Sequence, residues 1–196
     1  MKTIESIKGA DIYLLDQIMK GTFHLDHKIL DAGCGRGRNM TWFVQNGFNI
    51  FGCDANPNII TEAENFTGLS PGNFAVTTLE EMPYKNAQFD AIICNAVLHF
   101  ARSETHFLAM VNELYRVLKP DGVLFIRMTS TFGLPENYED IGDGCFLLQD
   151  GSTRFLLNHK LLDEMKNVVG FKQLEPVKSV LVEELRSMTT LVLKRV

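Results

Sequence analysis

Short apolar runs alternate along this chain with longer amphipathic stretches, and this alternation limits the fold more than any other feature of the sequence. The apolar runs stand at residues 28–31, 49–53, 73–76, 89–94 and 123–128. They have the length of buried strands, and the segments between them can hold helices. Strands that alternate with helices form parallel sheets covered by helices on both faces. The sequence therefore predicts a doubly wound, mostly parallel α/β fold.

Helical spacing and turn residues predict the remaining elements. Apolar side chains recur at three- and four-residue steps over residues 11–20 and 104–118, and we expect the second of these helices to stop at Pro120-Asp121-Gly122. A helix over residues 158–168 and strands near 171–182 and 188–195 complete the pattern. The short connection between the last two strands predicts an antiparallel pair. The predicted sheet thus has seven strands, of which the last is antiparallel.

The chain length favours one domain. A chain of 196 residues can bury one substantial core but is short for two. We divide residues 1–196 into a helical lead-in (1–27), a cofactor-binding core (28–128), a lid or hairpin insertion (129–157) and a C-terminal helix with a strand pair (158–196). The insertion is rich in glycine and contains Asp150-Gly151, a strong hairpin signal. We expect it to cover a ligand site.

Charge and hydropathy exclude several classes of partner. The net charge is −5, and no Lys/Arg run forms a basic stripe, so a nucleic-acid partner is disfavoured. No apolar run approaches the roughly 18 residues of a membrane helix, and the N-terminus lacks a signal-peptide pattern. We therefore expect a cytoplasmic protein without membrane attachment. The sequence leaves open whether it forms a homodimer.

Neither the cysteines nor the histidines predict a metal site. The pair His24 and His27 has no nearby cysteine or carboxylate cluster to complete a ligand set. Single cysteines without CxxC spacing are typical of buried thiols in a reducing compartment. There are four of them: Cys34, Cys53, Cys94 and Cys145.

The most informative segment is ILDAGCGRGRN, residues 29–39, between the first predicted strand and a helix that we expect to open at Arg38-Asn39. Its glycines allow a tight turn and a close approach of the backbone to a ligand, because they carry no Cβ. Asp54 follows the second strand about 20 residues later, where its carboxylate can accept hydrogen bonds from both hydroxyls of a ribose. A nicotinamide-dependent oxidoreductase is an alternative, but it is disfavoured because Arg38 stands where GxGxxG requires glycine.

This segment resembles motif I of the class I S-adenosylmethionine-dependent methyltransferases, and its CGRGRN form is weakly similar to tellurite-resistance-type and thiopurine-type methyltransferases. The resemblance covers residues 28–128 and implies a Rossmann-like fold, S-adenosylmethionine as cofactor and a small-molecule methyl acceptor. It implies that Asp31 helps to hold the methionine amino group. FGCDANP resembles the acidic motif of the second strand, which implies Asp54 as the ribose ligand and Ala55 as a neighbour of the adenine.

The resemblance also extends to the adenine side of the site. Many relatives carry Asp where this chain has Thr78, so the adenine contact passes to the Leu79 backbone and to Glu80. The complete set of cofactor-binding residues implied by the resemblance is Asp31, Gly33, Cys34, Gly35, Asn39, Asp54, Ala55, Leu79, Glu80 and Asn95.

The acceptor side is predicted from fewer residues. NAVLHF, residues 95–100, resembles the family's loop between cofactor and acceptor, and His99 in this loop is the candidate acid–base group because histidine titrates near neutral pH. A packing role for His99 is the alternative. Arg154, beside the Asp150-Gly151 turn, either binds an acceptor anion or forms a cross-strand ion pair. The substrate candidates are Tyr13, Arg127, Tyr138 and Arg154.

Two other functions are compatible with the glycine loop. A protein that binds S-adenosylmethionine or S-adenosylhomocysteine without turnover would carry the same glycine loop, but it has no need of a shielded acceptor chamber. The nicotinamide-dependent oxidoreductase is the other alternative. Arg36 and Arg38 are assigned to the start of the helix or to solvent, because S-adenosylmethionine carries no phosphate.

Overall fold

The computed structural model describes residues 7–134, 138–183 and 185–196. Its helices are α1 (Ile12–Met19), α2 (Thr41–Gln45), α3 (Pro57–Thr67), α4 (Glu104–Val117) and α5 (His159–Glu164), the last continued by a π-helical turn, Met165–Val169. Short 3₁₀ turns stand at Pro71–Asn73 and Leu98–Phe100. The strands are β1 (Lys28–Ala32), β2 (Asn49–Asp54), β3 (Phe74–Val76), β4 (Phe89–Asn95), β5 (Leu118–Ser130), β6 (Glu139–Gly142), β7 (Cys145–Leu147), β8 (Thr153–Phe155), β9 (Phe171–Gln173), β10 (Lys178–Val182) and β11 (Arg186–Arg195).

The main sheet has the strand order β10-β11-β5-β4-β1-β2-β3, with β9 also paired to β11. Strands β1 to β5 are parallel, and β11 runs antiparallel to β5, β9 and β10. The predicted mostly parallel sheet and the antiparallel last pair are confirmed. The sheet has eight strands rather than seven because the predicted edge strand, residues 171–182, is divided into β9 and β10.

Helices cover both faces of the sheet because successive residues of a buried strand point to opposite sides. One face packs Leu30, Ile92 and Leu124 with Phe107, Leu114 and Leu161 of α4 and α5. The neighbouring positions Ile29, Ile93 and Phe125 face the other side, where they pack with Leu14, Phe43 and Ile60 of α1, α2 and α3. The continuous apolar runs in the sequence reflect this burial on both faces.

The junction of α4 and β5 differs from the prediction. Ser103 caps α4 by accepting a hydrogen bond from the His106 amide at 3.1 Å, and the helix ends at Val117. Leu118 already belongs to β5, opposite Phe89, so the strand begins before the predicted residue 123 and continues past 128 to Ser130. The predicted turn at Pro120-Asp121-Gly122 is instead an irregularity within the β4–β5 pairing, with Asp121 at a φ of 64°.

The insertion after β5 forms a small antiparallel sheet in the order β6-β7-β8. The β7–β8 hairpin around Asp150-Gly151 confirms the predicted turn, whereas β6 was not predicted. Phe155 stacks on Phe107 of α4 with a centroid distance of 5.0 Å, which anchors the hairpin to the core. The predicted lead-in and insertion also include residues 1–6 and 135–137, which lie outside the described residues.

Candidate functional site

A cavity of about 660 Å³ lies at the carboxyl ends of β1, β2 and β4, and we call it the larger cavity. Ligands of open parallel sheets bind at this edge. Nine of the ten predicted cofactor-binding residues line it: Gly33, Cys34, Gly35, Asn39, Asp54, Ala55, Leu79, Glu80 and Asn95. The tenth, Asp31, is buried in β1. Residues far apart in the sequence thus converge on one cavity because their strands are neighbours in the sheet.

The glycine loop after β1 is shaped by backbone hydrogen bonds to β2. The amides of Gly33 and Cys34 donate to the Cys53 carbonyl at 2.8 and 2.9 Å. Gly33 has a φ of 76°, and a Cβ there would lie 2.3 Å from a methyl carbon of Val97. At Gly35 an added Cβ would meet no atom within 4 Å, so its glycine leaves free space at the cavity wall. The following helix α2 begins at Thr41, later than the predicted start at Arg38-Asn39.

Asp54, the last residue of β2, is held in place by two backbone amides. Its Oδ2 accepts a hydrogen bond from Gly35 at 3.1 Å, and its Oδ1 accepts one from Asn56 at 3.0 Å. An ionised carboxylate has about four lone-pair sites, so each oxygen can accept a further hydrogen bond. The carboxylate is therefore fixed at the cavity wall with acceptor capacity for two ligand hydroxyls.

Asp31 is the most strongly perturbed carboxyl group of the site. Its side chain is buried, and Oδ2 has no hydrogen-bond partner among the described residues. Burial raises the pKa of Asp31 to about 7; the positive charge of Arg38 opposes this rise and the negative charge of Asp54 adds to it. The buried Nδ2 of Asn95 also lacks a described partner. Both groups gain a partner if a ligand brings a cation and a hydrogen-bond acceptor to this end of the sheet.

A second cavity of about 340 Å³ adjoins the larger one, and both are lined by Arg38, Asn95 and Ala96. Three residues predicted on the acceptor side, His99, Arg127 and Arg154, line this second cavity. They come from the loop after β4, from β5 and from β8, and the antiparallel strand β11 adds Arg186. The fold therefore places two adjoining cavities, with three shared lining residues, at the same edge of the sheet.

Known proteins share both the sequence pattern and the architecture. A family model described as "Methyltransferase domain" matches residues 30–126. The chain is 30% identical over 109 residues to the malonyl-[acyl-carrier protein] O-methyltransferase of Enterobacter lignolyticus, covering 56% of this chain and 41% of that protein. It is 32% identical over 104 residues to the tRNA (carboxymethyluridine(34)-5-O)-methyltransferase of Arabidopsis thaliana, covering 51% of this chain and 23% of that protein.

A solved SAM-dependent methyltransferase from Methanosarcina mazei superposes with a TM-score of 0.75 at 21% identity, covering 91% of this chain and 97% of that one. The matched span contains the glycine loop, Asp54 and the loop after β4. The chain belongs to the class I S-adenosylmethionine-dependent methyltransferases. It spans less than half the length of the two curated relatives described above.

His99 does not have the properties that the sequence predicted for an acid–base group. The imidazole is buried, and Nδ1 has no hydrogen-bond partner among the described residues. Burial, together with the positive charges of Arg154 and Arg186, lowers the pKa of His99 to about 4. The imidazole is therefore neutral at pH 7, because its pKa lies well below the ordinary histidine value that made His99 the candidate acid–base group. A base with so low a pKa is weak at neutral pH.

The acceptor candidates differ in how they are placed. Arg127 forms an ion pair with Asp11 at 2.5 Å, and its guanidinium lies 4.7 Å from the centroid of the Tyr13 ring. Tyr13 thus contacts the wall of the second cavity through Arg127. Tyr138 is half-buried and directly precedes β6. Arg154 lies 5.1 Å from the centroid of Phe100, which lines the larger cavity.

Sequence reasoning missed or misassigned several residues of the site. Asp11 caps α1, accepts from Arg127 and donates its amide to Asn39, so it joins the glycine loop to β5. Arg36 pairs with Glu62 at the surface and also lines the larger cavity, and Arg38 lines both cavities. Phe100, Arg102, His106 and Met110 also line the larger cavity. Their position just after the loop that follows β4 is the one sequence signal that places them there.

Glu80 has neighbours that the sequence did not indicate. One of its carboxylate oxygens lies 3.3 Å from Nε2 of His106 and 3.9 Å from a guanidinium nitrogen of Arg102. Elsewhere in the described parts of the chain, no group of three or more His, Cys, Asp or Glu residues could hold a metal ion, and no helix has the length and apolarity to cross a bilayer. All four cysteines are buried free thiols, as predicted.

Proposed function

We propose that this chain is a methyltransferase that binds S-adenosylmethionine in the larger cavity and a small methyl acceptor in the second cavity. The observation that carries the proposal is the shared border of the two cavities at Arg38, Asn95 and Ala96. In-line methyl transfer requires donor and acceptor to meet at one point with water excluded. Two adjoining cavities at the carboxyl edge of the sheet would let donor and acceptor meet at their shared border.

The charges of the larger cavity fit this donor. Its volume of about 660 Å³ lies within the range of cofactor sites. Asp54 would accept from the two ribose hydroxyls, and Asp31, whose Oδ2 is buried without a described partner, would pair with the methionine ammonium. Arg38 would neutralise the methionine carboxylate. Ala55, Leu79 and Glu80 would surround the adenine.

The chemistry divides between the donor and the protein. When bound, S-adenosylmethionine supplies an activated methyl group whose bond to sulfur breaks as the bond to the acceptor forms, with the electron pair of the broken bond retained on sulfur. The chain orients the two reactants and excludes water, which contributes most of what such a displacement needs. His99 is neutral and buried at the wall of the second cavity, where it would orient the acceptor by a hydrogen bond to Nδ1.

A small acceptor is favoured over tRNA. The second cavity, of about 340 Å³, has the size of a small-molecule site. The net charge of −5 provides no general attraction to a phosphate backbone. The names of the two curated relatives describe malonyl and carboxymethyluridine acceptors, and both groups carry a carboxyl. We therefore expect the acceptor of this chain to share the carboxyl group of these acceptors and not their macromolecular part.

The test combines donor binding with methyl transfer. Calorimetry should show that the protein binds S-adenosylhomocysteine and that Gly35→Val abolishes this binding, because the new side chain fills the cavity wall. Gly47→Val is the matched control, because Gly47 also has a positive φ and open space at its Cβ, and it does not line the larger cavity. Normal donor binding by a cooperatively folded Gly35→Val protein would contradict the site assignment.

Transfer is measured with methyl-labelled S-adenosylmethionine against a panel of small molecules and, separately, bulk tRNA. We expect label in the small-molecule pool. Label in tRNA alone would overturn the small-acceptor assignment. Donor binding without transfer to either pool would favour the alternative of a protein that binds the donor without turnover.

A further inference from the structure

The second cavity carries an excess of positive charge. Four arginines line it, Arg38, Arg127, Arg154 and Arg186, against two aspartates, Asp11 and Asp150. His99 adds no charge at neutral pH, because burial keeps the pKa of its imidazole low. The wall therefore has two uncompensated positive charges around a cavity of about 340 Å³.

The four guanidinium groups are engaged to different extents. Arg127 is paired with Asp11 at 2.5 Å, and both side chains are largely buried. Arg186 lies 3.8 Å from Asp150 and is exposed. Arg38 donates to the Gly9 carbonyl and stands at the border with the larger cavity, where we have assigned it to the donor's own carboxylate. These arrangements account for the charge of three arginines.

Arg154 is the fourth arginine of the second cavity. Its Nη1 donates to the carbonyl of the adjacent Thr153 at 2.7 Å, and no carboxylate of the described residues pairs with it. The side chain is half-buried and lies over the ring of Phe100. The cross-strand ion pair that the sequence left open for Arg154 is absent from the described residues. An arginine so placed keeps most of its donors for a ligand, since a guanidinium has five N–H groups.

A buried group without a partner faces the same cavity. His99 is more than nine-tenths buried, and its Nδ1 makes no hydrogen bond with the described residues. Buried polar atoms are normally paired. His99, Arg154 and Arg186 all line this cavity, and the positive charges of the two arginines act on the imidazole. A polar ligand would satisfy both His99 and Arg154.

We propose that the second cavity binds its methyl acceptor through a single carboxylate, with Arg154 as the partner of that carboxylate. This inference rests on the proposed function. A planar guanidinium binds a carboxylate through two parallel hydrogen bonds. One unassigned positive charge matches a singly charged carboxylate better than a doubly charged phosphate, which would leave negative charge unbalanced in a confined space.

The test uses probes rather than the unknown acceptor. The protein is saturated with S-adenosylhomocysteine and titrated with benzoate, phenylacetate and hexanoate, each compared with its primary amide, and with phenyl phosphate. At least one acid should bind at least 10-fold more tightly than its amide and more tightly than phenyl phosphate. Arg154→Gln should weaken that acid about 10-fold or more, because charge-assisted hydrogen bonds are lost. It should leave the affinity for the amide and for S-adenosylhomocysteine unchanged.

Two further variants make the outcome specific. Arg154→Lys keeps the charge but not the planar fork, so its affinity should fall between those of wild type and Arg154→Gln. Lys160→Gln removes one exposed surface charge outside the cavity and should change nothing. The proposal is overturned if no acid binds better than its amide, if phenyl phosphate binds best, or if the acid binds Arg154→Gln as well as wild type. Failure of the wild-type protein to bind S-adenosylhomocysteine would instead overturn the proposed function.

Discussion

The buried carboxyl of Asp31 makes a prediction that needs no knowledge of the acceptor. In the free protein the pKa of Asp31 is raised to about 7, chiefly by burial. A donor ammonium placed against Oδ2 would favour the ionised form and lower this pKa, so binding must release a proton wherever the free carboxyl is protonated. Donor binding should therefore be linked to pH through this one residue.

The size of the linkage follows from the pKa. With a free pKa of about 7 and a bound pKa several units lower, binding of S-adenosylhomocysteine should release about 0.9 proton at pH 6 and about 0.5 at pH 7. Affinity should rise about 50-fold between pH 5 and pH 7. Asp31→Asn should bind more weakly, and both the proton release and the pH dependence should disappear.

Calorimetry in buffers of different ionisation enthalpy measures the number of protons released. Asp163→Asn serves as control, because Asp163 is an exposed carboxylate on α5 and does not line either cavity. Tight binding by wild type at pH 6 without proton release would refute the pairing of Asp31 with the donor ammonium, and so would an unchanged pH dependence in Asp31→Asn.

The same pKa has a consequence for the stability of the free protein. A carboxyl whose pKa is raised on folding binds its proton more tightly in the folded state, so stability is full below the unfolded pKa near 3.8 and falls as the pH rises towards about 7. The loss attributable to Asp31 is at most about 4 kcal/mol at about 1.4 kcal/mol per pKa unit. Free Asp31→Asn should therefore unfold at higher urea concentration than wild type at pH 7, and a lower midpoint would contradict the raised pKa.

Three other variants test separate features of the structure. Asp54→Ala should weaken S-adenosylhomocysteine about 10- to 150-fold, from the loss of about 1.5–3 kcal/mol of charge-assisted hydrogen bonding, and unchanged calorimetric affinity in a folded variant would remove Asp54 from the site. Gly33→Ala should lower the melting temperature, because its Cβ would lie 2.3 Å from a methyl carbon of Val97. Adding Val97→Ala should recover part of this loss, and additive effects of the two changes on stability would contradict the contact. Phe155→Ala should cost about 3–5 kcal/mol in urea unfolding by removing a buried ring stacked on Phe107. A cost below about 1 kcal/mol would show that the hairpin is not anchored there.

The donor side of the site was predictable because its residues belong to local patterns. The glycine loop follows β1 directly, and Asp54 ends β2, so strand positions alone bring them to one edge of the sheet. Apolar runs located β1 and β4 because strands buried on both faces must be continuously apolar, and further apolar runs located β2 and the partly exposed edge strand β3. The pattern failed at β5, where Pro120 and Asp121 indicated a turn but the backbone absorbs them as an irregularity in the strand pairing.

The acceptor side was decided by tertiary structure. Asp11 and Arg127 are 116 residues apart in the chain, and they pair because α1 packs beside β5 in the folded protein. Arg186 reaches the second cavity only because β11 runs antiparallel to β5 and so begins at the edge where the parallel strands end. The sequence determined the family and the donor loop through local spacing. The neutral state of His99 and the lack of a described ion-pair partner for Arg154 depend on burial and on neighbours distant in sequence. Both the burial and these neighbours exist only once the sheet is assembled.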